Sequence, residues 1–398
     1  MTQLQIGIAT ADITPPLGVD LAGYGPRKGS ADSVGHPLRA EALVCRDDKN
    51  AWALVTSDVI GYPGDFVKRV RTRIAARTDL IPEAISLTAI HTHSAPSALR
   101  TYSADLPEID HQCRVEIEQR LVQLVIDANA NIAPGTFEVA WASAPDLAHN
   151  RRVVGPDNVC TNEWEDPDGQ HTGYYDPTVM ILAVRRPDDH LAALLVNYGC
   201  HPVTLGPQSL AISSDYVGYM KDYLEEHNAA DTTLFALAGA ANINPRVCIH
   251  VGEEYPRTMG RALGEIVHAA LPQLAPVAPG PVASHSQPWR FTPRHDGPSN
   301  TGRKKDQPYD TEVLALRAGD LAFVCLPGEL FSQYAARFRE LSPFPTTAVV
   351  SIANDSVGYL VTDETLTQGG LEANRATAEV LEQPLTEHAR LALAGLAD

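Results

Sequence analysis

Three short apolar runs in this 398-residue chain each stop at a side chain suited to chemistry. Residues 85–90 lead into His91-Thr92-His93-Ser94, residues 190–198 into Gly199-Cys200-His201-Pro202, and residues 320–326 into Pro327-Gly328-Glu329. Runs this short, rich in apolar and β-branched residues and bounded by turn formers, read as buried strands. Alternate residues of a strand share a face, so His91 and His93 point the same way. Strand ends feeding loops are where α/β enzymes build sites, because the sheet holds the backbone while the loop shapes the pocket. The neighbouring Pro and Gly fix or free the backbone so that a side chain can be aimed. Two neutral histidines and one carboxylate are the donor set of a hydrolytic zinc site with a position left for water. His93, beside His91, reads as a proton carrier.

The rest of the chain alternates strand-like and helix-like segments, which implies an α/β fold with a mixed β-sheet core flanked by helices. Strands are expected at 6–13, 39–45, 52–59, 137–142 and 178–185, and helices at 66–76, 113–128, 216–226, 255–270 and 374–396. No internal repeat is evident. The proline-rich stretch 271–281 has the composition of a stiff connector. Glu329 lies beyond it, however, and shares a proposed ligand set with the earlier histidines. Residues 1–398 are therefore read as a single catalytic domain whose later strands complete the earlier sheet. Two polar stretches, 145–177 and 286–308, are expected to line or cover the pocket. Within the second, Arg303-Lys304-Lys305 reads as a solvated turn.

A net charge of −18 argues against a nucleic-acid or anionic-membrane partner. No apolar run approaches the roughly 20 residues needed to cross a bilayer. The first residues lack the features of a signal peptide. The six cysteines form no C-x-x-C pair, and Cys45 and Cys325 sit within strand patterns as reduced core residues. A cytoplasmic location is the resulting expectation.

Several motifs occur in one consistent order: Ala11-Asp12-Ile13-Thr14, His91-Thr92-His93-Ser94, Asn150-Arg151, His201-Pro202, Ser213-Ser214-Asp215, Pro327-Gly328-Glu329 and Gly358-Tyr359. Taken together they resemble the neutral/alkaline non-lysosomal ceramidase family over nearly the whole chain. The resemblance implies one zinc ion per chain, held by His91, His201, Glu329 and Tyr359. Arg151 is then expected to hold a substrate oxygen or carboxylate by its fork of donors. Two positions depart from the family pattern. Asn244 stands where the family has a serine; an amide cannot be a nucleophile, but could donate to an oxyanion. Leu371 stands where the family has a second tyrosine. The family's immunoglobulin-like domain is not expected after the catalytic one.

The expected activity is therefore zinc-dependent hydrolysis, by a metal-activated water, of an amide or a related ester or lactone in a small soluble substrate. A metal-dependent phosphoester hydrolase is one alternative, with Asp12, Asp58 and Asp215 as candidate ligands for a second metal. A non-catalytic small-molecule-binding relative is the other. Substrate identity and oligomeric partners are left open by the sequence.

Overall fold

The computed structural model describes residues 4–99, 107–296 and 303–397. Most of its strands form three large sheets with one shared plan, accompanied by short two-stranded pairs. In the first, β1 (Gln5–Asp12), β2 (Arg39–Arg46) and β3 (Ala51–Ser57) run antiparallel, and helix α1 (Gly64–Ala75) returns the chain to β4 (Ile85–Ala89), parallel to β3. Helix α2 (Glu108–Ala130) then leads to β5 (Thr136–Ser143). β5, β6 (Thr178–Arg185) and β7 (Leu191–Tyr198) form the second antiparallel set, and α3 (Asp215–Glu226) crosses to the parallel β8 (Thr232–Leu237). After α4 (Glu254–Ala270) the plan recurs in β9 (Val282–Phe291), β10 (Tyr309–Ala318), β11 (Leu321–Cys325), α5 (Ser332–Leu341) and β12 (Thr346–Val350). Tight turns suffice between antiparallel strands, whereas each parallel pair needs a crossover, here a helix.

Two sequence expectations are corrected by this arrangement. The later strands do not complete an earlier sheet; they make a third one. An internal repeat exists, but as strand direction and connection, which many unrelated apolar sequences satisfy.

Side-chain alternation explains how three sheets share a core. Along β2 and β3, Leu43, Cys45, Trp52 and Leu54 face a central cluster that also holds Phe137, Leu182 and Leu195 of the second sheet and Leu314, Phe323 and Cys325 of the third. The intervening Ala42, Val44, Ala53 and Val55 face the layer of α1 and α2. With both faces covered, the strands read as continuous apolar runs. Trp52 joins all three sheets: its ring lies 6.5 Å from Phe137 and 5.7 Å from Phe323, and its Nε1 donates to the Arg317 carbonyl at 2.7 Å. The last helix, Glu382–Ala394, covers the outer face of the third sheet with α5.

Smaller differences also have local causes. The expected helix over 374–396 begins only at Glu382. Residues 145–177 contain three short strands, Ala148–Asn150, Arg152–Val154 and Cys160–Asn162. The stretch 271–281 is no free connector, since Ala275–Pro276 pairs with β5 and the Val277 amide donates to the Phe137 carbonyl at 2.9 Å. Residues 286–291, expected as loop, belong to β9, and 297–302 lie outside the described residues. All six cysteines are buried and unpaired with one another.

The plan gathers strand ends at one place. β4, β7 and β11 belong to different sheets, and the residues just beyond them are His91, His201 and Glu329. Polar ties lock those ends together: Asn197 Nδ2 donates to the carbonyls of Ala236 (2.8 Å) and Val349 (3.0 Å), and Asn354 Oδ1 accepts from the Leu87 amide at 2.9 Å.

Candidate metal centre and active-site cavity

His91 leaves β4 with φ of +71°, a conformation uncommon for a residue with a side chain and found where surroundings enforce it. Its amide donates to the Val59 carbonyl (2.9 Å) and its Nδ1 faces the Ile60 carbonyl at 2.6 Å. A carbonyl can only accept, so Nδ1 carries the proton and Nε2 presents a lone pair. His201 repeats this arrangement from the second sheet, with Nδ1 2.6 Å from the Ala240 carbonyl. Burial pushes the His201 imidazole down to about 4, so it is neutral near neutral pH. Backbone carbonyls that fix the tautomer in this way are the usual support for metal-bound histidines.

Glu329 follows β11 of the third sheet, on a short strand of its own. Its Oε2 lies 3.5 Å from His91 Nε2 and 3.6 Å from His201 Nε2. The His201 contact sets a bare imidazole nitrogen against a carboxylate oxygen, two acceptors with no hydrogen between them. Both atoms are buried and lack a hydrogen-bond partner. Such a pairing is costly unless a cation sits between the two. Ligands about 2.0–2.2 Å from a tetrahedral zinc lie roughly 3.3–3.5 Å apart, close to both separations. The donor set therefore fits a zinc ion.

Tyr359 is paired in register with Glu329 through the short parallel strands Glu329–Leu330 and Tyr359–Leu360. A Cβ on Gly328 would lie 2.5 Å from the Gly358 carbonyl oxygen, so glycine permits this close backbone approach. Burial and the Glu329 carboxylate raise the Tyr359 phenol well above its ordinary value, while Arg151 opposes them. A bound cation would reverse that balance.

The third imidazole of the cluster is His93, whose ligand nitrogen, with those of His91 and His201, falls in a group spanning no more than 4.8 Å. Its ring is half-buried against Tyr24, 4.8 Å between centroids. Gly23 (φ +96°) makes room for it, since a Cβ there would lie 2.3 Å from His93 Cγ. Sequence reasoning missed this wall; its only signal was the loop-like Gly23-Tyr24-Gly25-Pro26.

Arg151 and Asn244 both line the cavity and are held there by protein partners. Arg151 is 4% exposed, and three of its nitrogens are engaged: Nε with Glu372 (2.7 Å), Nη1 with Asn244 Oδ1 (3.1 Å) and Nη2 with the Tyr359 hydroxyl (3.3 Å). These ties position Tyr359 and Asn244 at the wall where the expected substrate contact would be made. The arginine donor orients the Asn244 carboxamide, whose Nδ2 faces the Trp164 carbonyl (3.1 Å) and Cys248 Sγ (3.7 Å). Asn244 lines the cavity with its amide hydrogens turned toward these protein atoms, so donating to an oxyanion would require its carboxamide to turn. Glu372, unremarked in the sequence, holds Arg151, Arg152 Nη1 (2.8 Å) and Asn162 Nδ2 (3.0 Å) together.

The cluster opens into a cavity of about 750 Å³ lined by His91, His93, Glu329, Tyr359, Trp164 and Leu371 among others. Charged Arg303, Arg375 and Asp296 line it too, so Arg303 is more than a solvated turn residue. The expected second-metal carboxylates are committed elsewhere. Asp12 caps the Thr14 amide (2.7 Å), Asp58 binds Lys221 (2.8 Å), and Asp215 accepts from Thr204 Oγ1 (2.7 Å) and the amides of Leu205 and Tyr216.

Two solved structures share this fold. The neutral ceramidase from Pseudomonas aeruginosa superimposes with a TM-score of 0.80 at 17% identity, covering 99% of this chain and 74% of that one. A ceramidase complexed with C2 gives 0.81 at 16% identity, covering 100% and 75%. Residues 4–260 match the sequence profile described as neutral/alkaline non-lysosomal ceramidase, N-terminal, and with well over half of its length so matched, the chain belongs to the neutral/alkaline non-lysosomal ceramidase family.

Proposed function

We propose that this member of a family of amide hydrolases is a zinc-dependent enzyme that cleaves an amide, or a related ester or lactone, in a small soluble substrate. One observation carries the zinc assignment: the buried, partnerless His201 Nε2 and Glu329 Oε2 facing each other at 3.6 Å. His91, His201, Glu329 and Tyr359 would hold the ion. Bound there, zinc supplies a water acidic enough to ionise near neutral pH and a Lewis acid for the scissile carbonyl.

The chain's own residues supply the rest. His93 lines the cavity beside the ligand histidines and delivers a proton to the leaving amine. Arg151, anchored by Glu372, fixes the Tyr359 hydroxyl. The apolar side chains of Trp164 and Ile249 line one side of the cavity and limit its contact with bulk water. Arg303, Arg375 and Asp296 in the cavity lining favour a substrate with a polar part, and a volume of about 750 Å³ suits a small molecule. Because His91, His201 and Glu329 each follow a strand of a different sheet, we read the three sheets as one catalytic unit. The phosphoester alternative loses support from the commitment of Asp12, Asp58 and Asp215 to other partners.

The test is hydrolysis by zinc-loaded and chelator-treated protein of a panel of short N-acyl amides, a short-chain and a long-chain ceramide, esters, lactones and phosphoesters. Zinc-dependent turnover of short amides, esters or lactones is expected. Turnover that survives chelation, or is confined to phosphoesters, overturns the proposal.

A further inference from the structure

We propose a second metal site, structural rather than catalytic, in which His149, Asp166 and His171 bind a zinc ion that pins the Trp164 wall of the cavity. None of the three lines the cavity itself. His149 sits on the strand Ala148–Asn150, 2% exposed, with Nε2 3.1 Å from the Trp164 carbonyl. That carbonyl only accepts, so Nε2 bears the proton and Nδ1 is left bare. This is the same carbonyl-fixed tautomer that readies His91 and His201, with the two ring nitrogens exchanged.

The bare His149 Nδ1 does not face solvent. It points at His171 Nδ1, 3.1 Å away, and His171 Nδ1 in turn lies 4.0 Å from Asp166 Oδ2. One ligand atom from each residue falls within a group spanning no more than 4.8 Å. Two imidazole nitrogens on a tetrahedral zinc lie about 3.3 Å apart, close to the separation seen here. Two histidines and a carboxylate suit zinc better than calcium or magnesium, which prefer oxygen donors throughout. Asp166 is 4% exposed. Its oxygens also accept from the amides of Gln170 (2.7 Å) and His171 (3.0 Å), which fix the carboxylate and leave it further lone pairs. The His171 side chain keeps 20% of its surface accessible, leaving one side open for water as fourth ligand.

The consequence lies one residue from Glu165 and two from Asp166, at Trp164. Its ring lies under the Arg151 guanidinium at 5.3 Å and its carbonyl receives Asn244 Nδ2 as well as His149 Nε2. Tying Asp166 and His171 to His149 therefore fastens the segment that holds Trp164, and through it Arg151 and Asn244.

The geometry does not depend on the catalytic assignment, and the two can fail separately. Zinc is measured by elemental analysis on wild type, His171→Gln, His91→Ala and the double variant, after dialysis against zinc and then buffer, with circular dichroism to verify folding. His171 is the position of choice because its partial exposure makes misfolding less of a concern. The expected contents are about two zinc ions in wild type, one in each single variant and none in the double variant. Loss of one ion in His171→Gln, with none lost in His91→Ala, would sustain this site and overturn the catalytic one. Identical zinc content in wild type and folded His171→Gln would overturn this proposal, leaving the two histidines joined by a plain hydrogen bond. If His171→Gln does not fold, Asp166→Asn is measured in its place and judged by the same outcomes.

Discussion

Glu372→Gln probes the buried ion network behind the site without touching a proposed zinc ligand. The Glu372 side chain is fully buried and accepts from Arg151 Nε, Arg152 Nη1 and Asn162 Nδ2. The variant keeps one acceptor oxygen but turns an amide donor toward donors, and it leaves two buried arginines short of a negative partner. Removing one member of a buried pair costs about 3–5 kcal/mol. At roughly 1.2 °C per kcal/mol for a chain of this size, the melting temperature should fall by about 4–6 °C. Arg151 would also lose the anchor that orients Tyr359, and a misplacement of about 1 Å is worth on the order of 100-fold in rate. Calorimetry and turnover at a temperature where both proteins are folded would measure the two effects, with zinc content unchanged. Burial alone would raise the Glu372 carboxyl, but Arg151 and Asn162 overcome it and hold it below its ordinary 4.5. The stability it contributes is thus complete above pH 4.5 and is lost as the pH falls through the lower folded value, so the gap to the variant narrows only on strong acidification. A variant that melts and turns over like wild type, or a gap that widens in acid, would refute the reasoning.

Three other substitutions separate catalysis from scaffold. His93→Gln should keep its zinc and lose about 10²–10⁴-fold in kcat, as expected for a lost proton carrier; loss of zinc would instead make His93 a ligand. Gly23→Ala, whose new Cβ would lie 2.3 Å from the His93 ring, should lower kcat with little change in zinc content, and unaltered kinetics would show that the ring relocates at no cost. Lys221→Met strands Glu41 and Asp58, which Lys221 binds at 2.8–3.0 Å with all three side chains fully buried. Denaturant titration should register a loss of about 3–5 kcal/mol, and less than 1 kcal/mol would contradict the role assigned to the triad.

What could be read from the sequence follows from what local patterning records. The strands ending near His91, His201 and Glu329 were legible because apolar runs and Gly/Pro punctuation are local features. Their division among three sheets was not, because strands buried on both faces carry the same apolar pattern whichever sheet they join. Asp58 could be read only as a candidate metal ligand or a cap or turn residue, since its partner Lys221 stands 163 positions away. Arg151 looked available for substrate because Glu372 and Tyr359, which occupy it, are more than 200 positions distant. Asn244 was found through the family pattern, yet its orientation depends on Arg151 and Trp164 and could not be read from its identity. His149 and His171 gave no sequence signal, being 22 positions apart with no metal-ligand spacing.

The central claim is that one ion joins strand ends from three sheets, and anomalous diffraction at the zinc edge from crystals of the zinc-loaded protein tests it most directly. A strong peak within about 2.0–2.3 Å of His91 Nε2, His201 Nε2, a Glu329 oxygen and the Tyr359 hydroxyl is the expected result at this site. Crystals with no peak between His201 and Glu329, at full zinc loading, would contradict it.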